Sequence, residues 1–204
     1  MAEGAPVVRR LRGSTFGAIG MGRIGTAASR RAAVFDMKVI YFDPLHADGH
    51  ELGLGYERVR SLDELMERSD VVSLHAPLSH ATRNILDRAA FAKAKQDAIV
   101  INIARGGLTD LDALHDAMKT GRIAAAGLDV FPEEPLVNPP ELARAWRNRE
   151  PWLEERLAIS PHAAFYSEAG YHDIHRLSAE VVMDYLLRGH LRNNVNPGWR
   201  AGQR

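Results

Sequence analysis

The sequence predicts an α/β fold, a doubly wound parallel sheet with helices on both faces. Three observations carry that expectation. Short, continuous apolar runs rich in β-branched residues recur along the chain, as strands buried on both faces require. Between them lie segments with apolar residues at helical spacing, the alternation that builds parallel sheets. A glycine-rich turn separates the first strand from the first helix, where such folds hold phosphate.

The elements follow in order. Thr15–Ile19 (TFGAI) is a short strand, and Ile24, Ala27, Ala28, Ala32 and Phe35 then share a helical face. Lys38–Phe42 (KVIYF) is β-branched and aromatic, hence a strand. Ser61 caps a short helix over Leu62–Glu67. Val71–Leu74 is a strand and Asp87–Ala94 a helix. Ala98–Ile103 (AIVINI) carries the strongest buried-strand signal. Thr109 to Thr120 reads as a helix, capped by Thr109 or Asp110 and ended by Gly121. Ile123–Leu128 leads into Asp129, and Leu157–Ile159 is a last short strand. From Ser167 to Leu187, residues Ile174, Leu177, Val181 and Tyr185 line one helical face. Residues 132–157 contain PEEPLVNPP and then ELARAWRNREPWLEERL. Rich in Pro, Arg and Trp, they read as an excursion from the sheet and not as a βα unit.

Composition narrows the function classes. The chain has 204 residues, 46% hydrophobic and 25% charged, values of a folded globular protein of about one domain. Lys+Arg and Asp+Glu both number 26. Such balance gives no electrostatic footprint for nucleic acid or an anionic membrane. The absence of cysteine removes disulfides, thiolate metal sites and Cys nucleophiles. No apolar run approaches the roughly 18–20 residues of a membrane span. The opening MAEGAPVVRRLRG lacks the apolar core of a signal peptide, so a cytoplasmic location is expected. His172 and His175 form H-x-x-H on a helix. With no third ligand they read as an exposed face, and no metal is expected. Trp146, Trp152 and Trp199 read as packing residues, and Arg9, Arg10 and Arg12 as solvated cations.

Gly20-Met21-Gly22-Arg23-Ile24-Gly25 follows the first strand and opens the first helix. This is G-x-G-x-x-G in the context that defines the Rossmann fingerprint. Gly20 permits the tight turn, Gly22 lets the backbone approach a pyrophosphate, and Gly25 lets helix and strand pack closely. The diphosphate would rest on the helix N-terminus. Asp43 ends the second strand, eighteen residues after Gly25. A carboxylate there binds the adenine ribose hydroxyls and repels a 2′-phosphate, favouring NAD over NADP.

Three further stretches lie beyond predicted strands, where open α/β sheets bind ligands. IVINIARGGLTDLDAL carries Arg105, GLDVFPEEP carries Asp129 and Glu134, and ISPHAAFYSEAG carries His162. Together with LRGSTFGAIGMGRIG and DVVSLHAPLSHATRNIL, they resemble the NAD-binding domain of the D-isomer-specific 2-hydroxyacid dehydrogenases. HAAFYSE, and FDP followed by DGHELGLGYERV, are similar to the branch around the C-terminal-binding-protein co-repressors and their bacterial relatives. The resemblance runs from about Leu11 to Pro197.

That resemblance implies an oxidoreductase transferring hydride between NAD(H) and C2 of a small 2-hydroxy or 2-keto acid. Arg105 would hold the substrate carboxylate or carbonyl. His162 would give and take the proton at the carbonyl oxygen, and Glu134 would fix the His162 tautomer and raise its pKa. Arg23 and Ile24 would line the pyrophosphate, and Ala76, Pro77 and Thr82 would contact the dinucleotide. Ile103, Ala104, Arg105, Asp129 and His162 would stand near the nicotinamide. Glu134 and His162 are further apart than in many members, because of the Trp-containing segment.

The resemblance also implies an organisation. Residues 1–12 serve as lead-in, 13–170 as the NAD-binding domain, and 171–204 as a helix and tail that in relatives return to a substrate domain. That N-terminal substrate region, on the order of one hundred residues, has no counterpart here, so weak turnover by this chain alone is expected. Relatives pair through the cofactor domain, which makes a homodimer the expected assembly. A second reading is a stand-alone NAD(H)-sensing interaction module without turnover. One local departure is Asp36, where relatives carry Gly. In a left-handed conformation Asp would cost roughly 1 kcal/mol there.

Overall fold

The computed structural model describes residues 9–195. The first eight residues of the lead-in, Trp199 and the end of the tail lie outside them. The chain divides into two compact units, Met1–His162 and Ala163–Arg204.

The first unit is a seven-stranded, all-parallel sheet in the order β3-β2-β1-β4-β5-β6-β7. Its strands are β1 (Thr15–Ile19), β2 (Lys38–Phe42), β3 (Glu57–Arg58), β4 (Val71–Leu74), β5 (Ala98–Asn102), β6 (Ile123–Leu128) and β7 (Leu157–Ile159). Its helices are α1 (Arg23–Val34), α2 (His50–Leu54), α3 (Leu62–Arg68), α4 (Arg88–Lys93), α5 (Leu111–Lys119) and α6 (Glu141–Arg147). One face of the sheet presents Ile40, Val72, Leu74, Val100 and Leu128 to the buried side chains of α3 to α6, including Leu65, Phe91, Leu114 and Leu142. The other presents Phe16, Ala18, Val39 and Tyr41 to Ala28, Ala32 and Ala33 of α1. Alternation along each strand thus feeds two cores. Ser61, Asp87 and Asp110 cap α3, α4 and α5 by accepting backbone N–H bonds.

Two parts depart from the sequence expectation. Residues 132–157 are not an excursion from the sheet. They hold α6, whose Leu142, Ala143 and Ala145 are buried in the core, and they return the chain to β7, parallel to β6. The segment is a crossover whose helix is preceded by Pro139-Pro140, so the turn residues concealed a short apolar face. Arg156 completes the join. Its guanidinium donates to the carbonyls of Met118, Ile123, Ala124 and Trp152 at 2.7–3.0 Å, closing α5 and β6 onto the start of β7. The second departure is the two-residue edge strand β3, charged and without an apolar pattern. Arg58 holds it by donating to the Asp43 carbonyl at 2.9 Å.

The second unit contains α7 (Glu168–Arg188). Ser167 caps it through Gly170 N–H, and Gly189, at φ +66°, ends it. Ile174 and Leu177, expected on one apolar face, are about half exposed. Of the expected solvated cations, Arg9 pairs with Asp97 and Arg12 with Asp36, at exposed positions where such pairs contribute little.

Asp36 is left-handed, with φ +58°. Its carbonyl accepts from Gly13 N–H at 2.9 Å, so the conformation is fixed by the turn into β1. Asp36→Gly should therefore raise stability by about 0.5–1 kcal/mol, less the small loss of the Arg12 pair. A urea midpoint that falls on this substitution contradicts the strain.

Candidate cofactor and acid–base site

All strands run one way, so their carboxyl ends share one edge. The segments expected to carry chemistry leave from that edge: Gly20 after β1, Asp43 after β2, Ala76 after β4, Arg105 after β5, Asp129 after β6 and His162 after β7. The sheet order reverses between β1 and β4, which is where an open α/β sheet forms its crevice.

The three loop glycines do different work. Gly20 sits at φ +91°, and a Cβ there would lie 2.7 Å from the Ala76 nitrogen. A Cβ on Gly25 would fall on the Gly20 carbonyl oxygen. Over Gly22 there is open space. Gly22 is also the N-cap of α1, with no side chain bonded to the first-turn N–H groups and no acid in that turn. Bare N–H groups, an open backbone and the adjacent Arg23 fit a diphosphate. Asp43 is nearly buried and braces the loop: its carboxylate accepts Met21 N–H at 2.8 Å and Leu45 N–H at 3.0 Å. Thr82, expected to face the dinucleotide, closes its own loop by donating to the Pro77 carbonyl at 2.7 Å and accepting from Ser79 N–H.

The Arg105, Glu134 and His162 loops are joined through backbone. Gly106 approaches so closely that a Cβ would fall on the Phe131 carbonyl carbon. Phe131 N–H donates to Glu134 Oε1 at 2.7 Å, and Glu134 Oε2 lies 2.6 Å from His162 Nδ1. Burial pushes the Glu134 carboxyl up, but the Phe131 N–H and the His162 ring outweigh it and hold the carboxyl below its ordinary value. A carboxylate on Nδ1 leaves Nε2 as the ring atom for proton exchange. Arg105 is exposed, with Nη1 donating to the Ala104 carbonyl at 2.7 Å.

His162 has φ +53°, a strained setting for a histidine. Its N–H donates to the Asp129 carbonyl at 2.8 Å, and Ser160 Oγ donates to the Asp129 carboxylate at 2.6 Å. Asp129 thus fixes the loop that carries His162. Two organisers escaped the sequence reading. Buried Asn102 donates to the Arg105 carbonyl and the Thr109 hydroxyl and accepts from Ala104 N–H, all at 3.0–3.1 Å. Ser160 is the other. Neither carries a periodic signal, since each is a lone polar residue at the end of an apolar strand.

This geometry defines a dinucleotide-binding α/β domain with a carboxylate–imidazole pair at the same sheet edge. The comparisons then specify the family. The D-isomer specific 2-hydroxyacid dehydrogenase NAD binding domain matches residues 1–164, and the chain belongs to that family. It is 40% identical over 187 residues to a glyoxylate reductase of Korarchaeum cryptofilum, covering 90% of this chain and 52% of that protein. It is 38% identical over 185 residues to a D-3-phosphoglycerate dehydrogenase of Methanocaldococcus jannaschii, covering 91% and 33%. A solved glyoxylate reductase from Paecilomyes thermophila superposes with a TM-score of 0.79 at 33% identity, covering 92% of this chain and 53% of that one. The chain spans about half the length of these relatives or less. Among the described residues no helix is long and apolar enough to cross a membrane.

His75, beside the phosphate loop, gives a pH test. Its Nε2 lies 3.0 Å from Ser73 Oγ, and its buried Nδ1 has no hydrogen-bond partner. Burial pushes the imidazole down to about 4 from 6.5. As pH falls below 6.5 the unfolded chain binds a proton that the folded chain refuses. Stability is then lost between pH 6.5 and 4, by up to roughly 3 kcal/mol. Urea midpoints at pH 7 and 4.5 should fall less in His75→Gln than in the parent. Equal falls would remove His75 from the acid sensitivity.

Proposed function

We propose that this chain supplies the cofactor half and the proton-transfer group of an NAD-dependent D-2-hydroxyacid dehydrogenase. The observation that carries the reading is the 2.6 Å Glu134–His162 pair at the edge where the phosphate loop opens. The family membership and the glyoxylate reductase and phosphoglycerate dehydrogenase relatives support it. HAAFYSE supports placing it near the co-repressor-like branch.

In the direction of reduction, NADH held by the phosphate loop and Asp43 would supply the hydride for C2 of the 2-keto acid. His162 Nε2 gives a proton to the carbonyl oxygen, so the product is the 2-hydroxy acid. The imidazolium that precedes transfer is stabilised by Glu134, whose ionised form the Phe131 N–H favours. Arg105 offers a fork-shaped cation to the substrate carboxylate or carbonyl. In oxidation His162 takes the proton back. Gly22 and the first turn of α1 receive the pyrophosphate, with Arg23 and Ile24 beside it. Asp43 takes the ribose hydroxyls with the lone pairs left by Met21 and Leu45. Ala76 and Pro77 line the crevice from β4, and Ile103, Ala104 and Asp129 border the nicotinamide end.

Two outcomes test the reading. Calorimetry should show NADH binding at least about ten-fold tighter than NADPH. Asp43→Asn removes the charge and one of the two acceptor oxygens that Met21 and Leu45 N–H use, and should narrow that ratio. Equal or preferred NADPH binding by the parent would falsify the ribose role. NADH oxidation with glyoxylate, pyruvate or hydroxypyruvate should fall about 100-fold or more in His162→Ala, the usual worth of a general acid. An unchanged rate rejects the proton role.

A further inference from the structure

Beside the phosphate loop lies a recess of about 530 Å³ that the proton-transfer chemistry does not use. Gly22, Arg23 and Arg30 line it from the start of α1, and His46 and His50 from α2 and the turn before it. The two imidazoles stack, with centroids 3.8 Å apart and planes 11° from parallel. His46 Nε2 lies 3.1 Å from the Met21 carbonyl. A carbonyl only accepts, so Nε2 donates, and Nδ1 is the His46 atom that takes up a further proton. The same Nε2 stands 3.5 Å from Asp43 Oδ2, so the stack touches the carboxylate assigned to the ribose. The other charges around it pair among themselves, Asp48 with Arg58 and Arg60, and Glu51 with Arg60. Burial pushes the Tyr41 phenol up, so it stays neutral. Arg23 and Arg30 are exposed, with no carboxylate partner among the described residues.

We propose that the His46–His50 stack is a proton-dependent specificity element for the cofactor. Neutral, it leaves Asp43 to repel a 2′-phosphate. Charged, it offsets Asp43 and joins Arg23 and Arg30 in accepting the 2′-phosphate of NADP(H). The inference rests on the dehydrogenase reading above. Gly22 and Arg23 belong both to the phosphate loop and to the recess, so a dinucleotide seated on the loop has its adenosine end beside the stack. Histidine changes charge between about pH 5 and 8, whereas Asp43 and the arginines keep theirs. Two rings this close disfavour two charges, so the stack takes up one proton first. That proton changes the sign of the balance facing the ribose without moving the backbone.

The test is calorimetry of NADH and NADPH with the full chain at pH 8 and 6.5. At pH 8 NADH should be favoured. The NADPH-to-NADH affinity ratio should rise about three-fold or more at pH 6.5, the worth of one exposed ion pair. The 2′-phosphate itself loses charge on acidification, with a second pKa of about 6, so ligand titration opposes the effect and a rise belongs to the protein. His46→Gln with His50→Gln should abolish the rise. His50→Gln alone, which leaves the Met21 bond in place, should lessen it. Arg30→Gln should weaken NADPH more than NADH at both pH values. By reciprocity, saturation with adenosine 2′,5′-bisphosphate should move the titrations of the two imidazole ring protons to higher pH, and adenosine 5′-monophosphate should move them less. A flat or falling ratio, an undiminished rise in the double variant, or equal imidazole shifts with the two nucleotides overturns the proposal. If NADH binds at neither pH, the dehydrogenase reading falls separately. The two adenosine phosphates then decide the stack alone: a larger shift with the bisphosphate keeps it, and equal or absent shifts remove it.

Discussion

Gly106 stands against the backbone of Phe131 and Pro132 with no room for a side chain, and the site depends on that approach. Arg105 precedes it, while Phe131 donates to Glu134 and Glu134 in turn meets His162. Groups separated by 57 positions in sequence are therefore connected by one backbone contact and two hydrogen bonds. A second close approach, of Gly20 to Ala76, does the equivalent work for the phosphate loop. The sheet supplies direction, since parallel strands deliver every loop to one edge. The glycines set the spacing at that edge.

Electrostatics acts on this frame with little net charge. Glu134 is kept ionised by the Phe131 N–H and the His162 ring together, against the opposing effect of burial. Asp129 organises His162 through its carbonyl and meets Ser160 with its carboxylate. The left-handed backbone of His162 persists because these contacts over-determine the loop, as strained residues at functional sites require. His75 shows the opposite case: it is placed by burial, and burial makes its charged form costly.

Most of the fold was legible in the sequence because buried parallel strands are continuous apolar runs. AIVINI and KVIYF announce β5 and β2 without help from neighbours. The glycine spacing announced the phosphate loop, and the flanks of Arg105, Glu134 and His162 located the candidate site. What escaped notice depends on tertiary context. β3 is two charged residues paired to β2 at the sheet edge, a strand only because β2 is there to receive it. α6 is too short for a strong period and follows two prolines. Asn102 organises a loop through three hydrogen bonds that cannot be seen until the loop closes around it. Thr82 was placed correctly on the β4 loop, but its hydroxyl is committed to that loop.

The position of β7 has a consequence for how the protein comes into being. β7 is the last strand and occupies one edge of the sheet, and His162 follows it directly. The phosphate loop and Asp43 belong to the first two strands. On a ribosome adding roughly 5–20 residues per second, Asp43 emerges on the order of ten seconds before His162. The phosphate loop and Asp43 are in the nascent chain while the imidazole that meets Glu134 is still to be made. Order of synthesis thus delivers the phosphate-loop residues first and the imidazole of the candidate acid–base pair last.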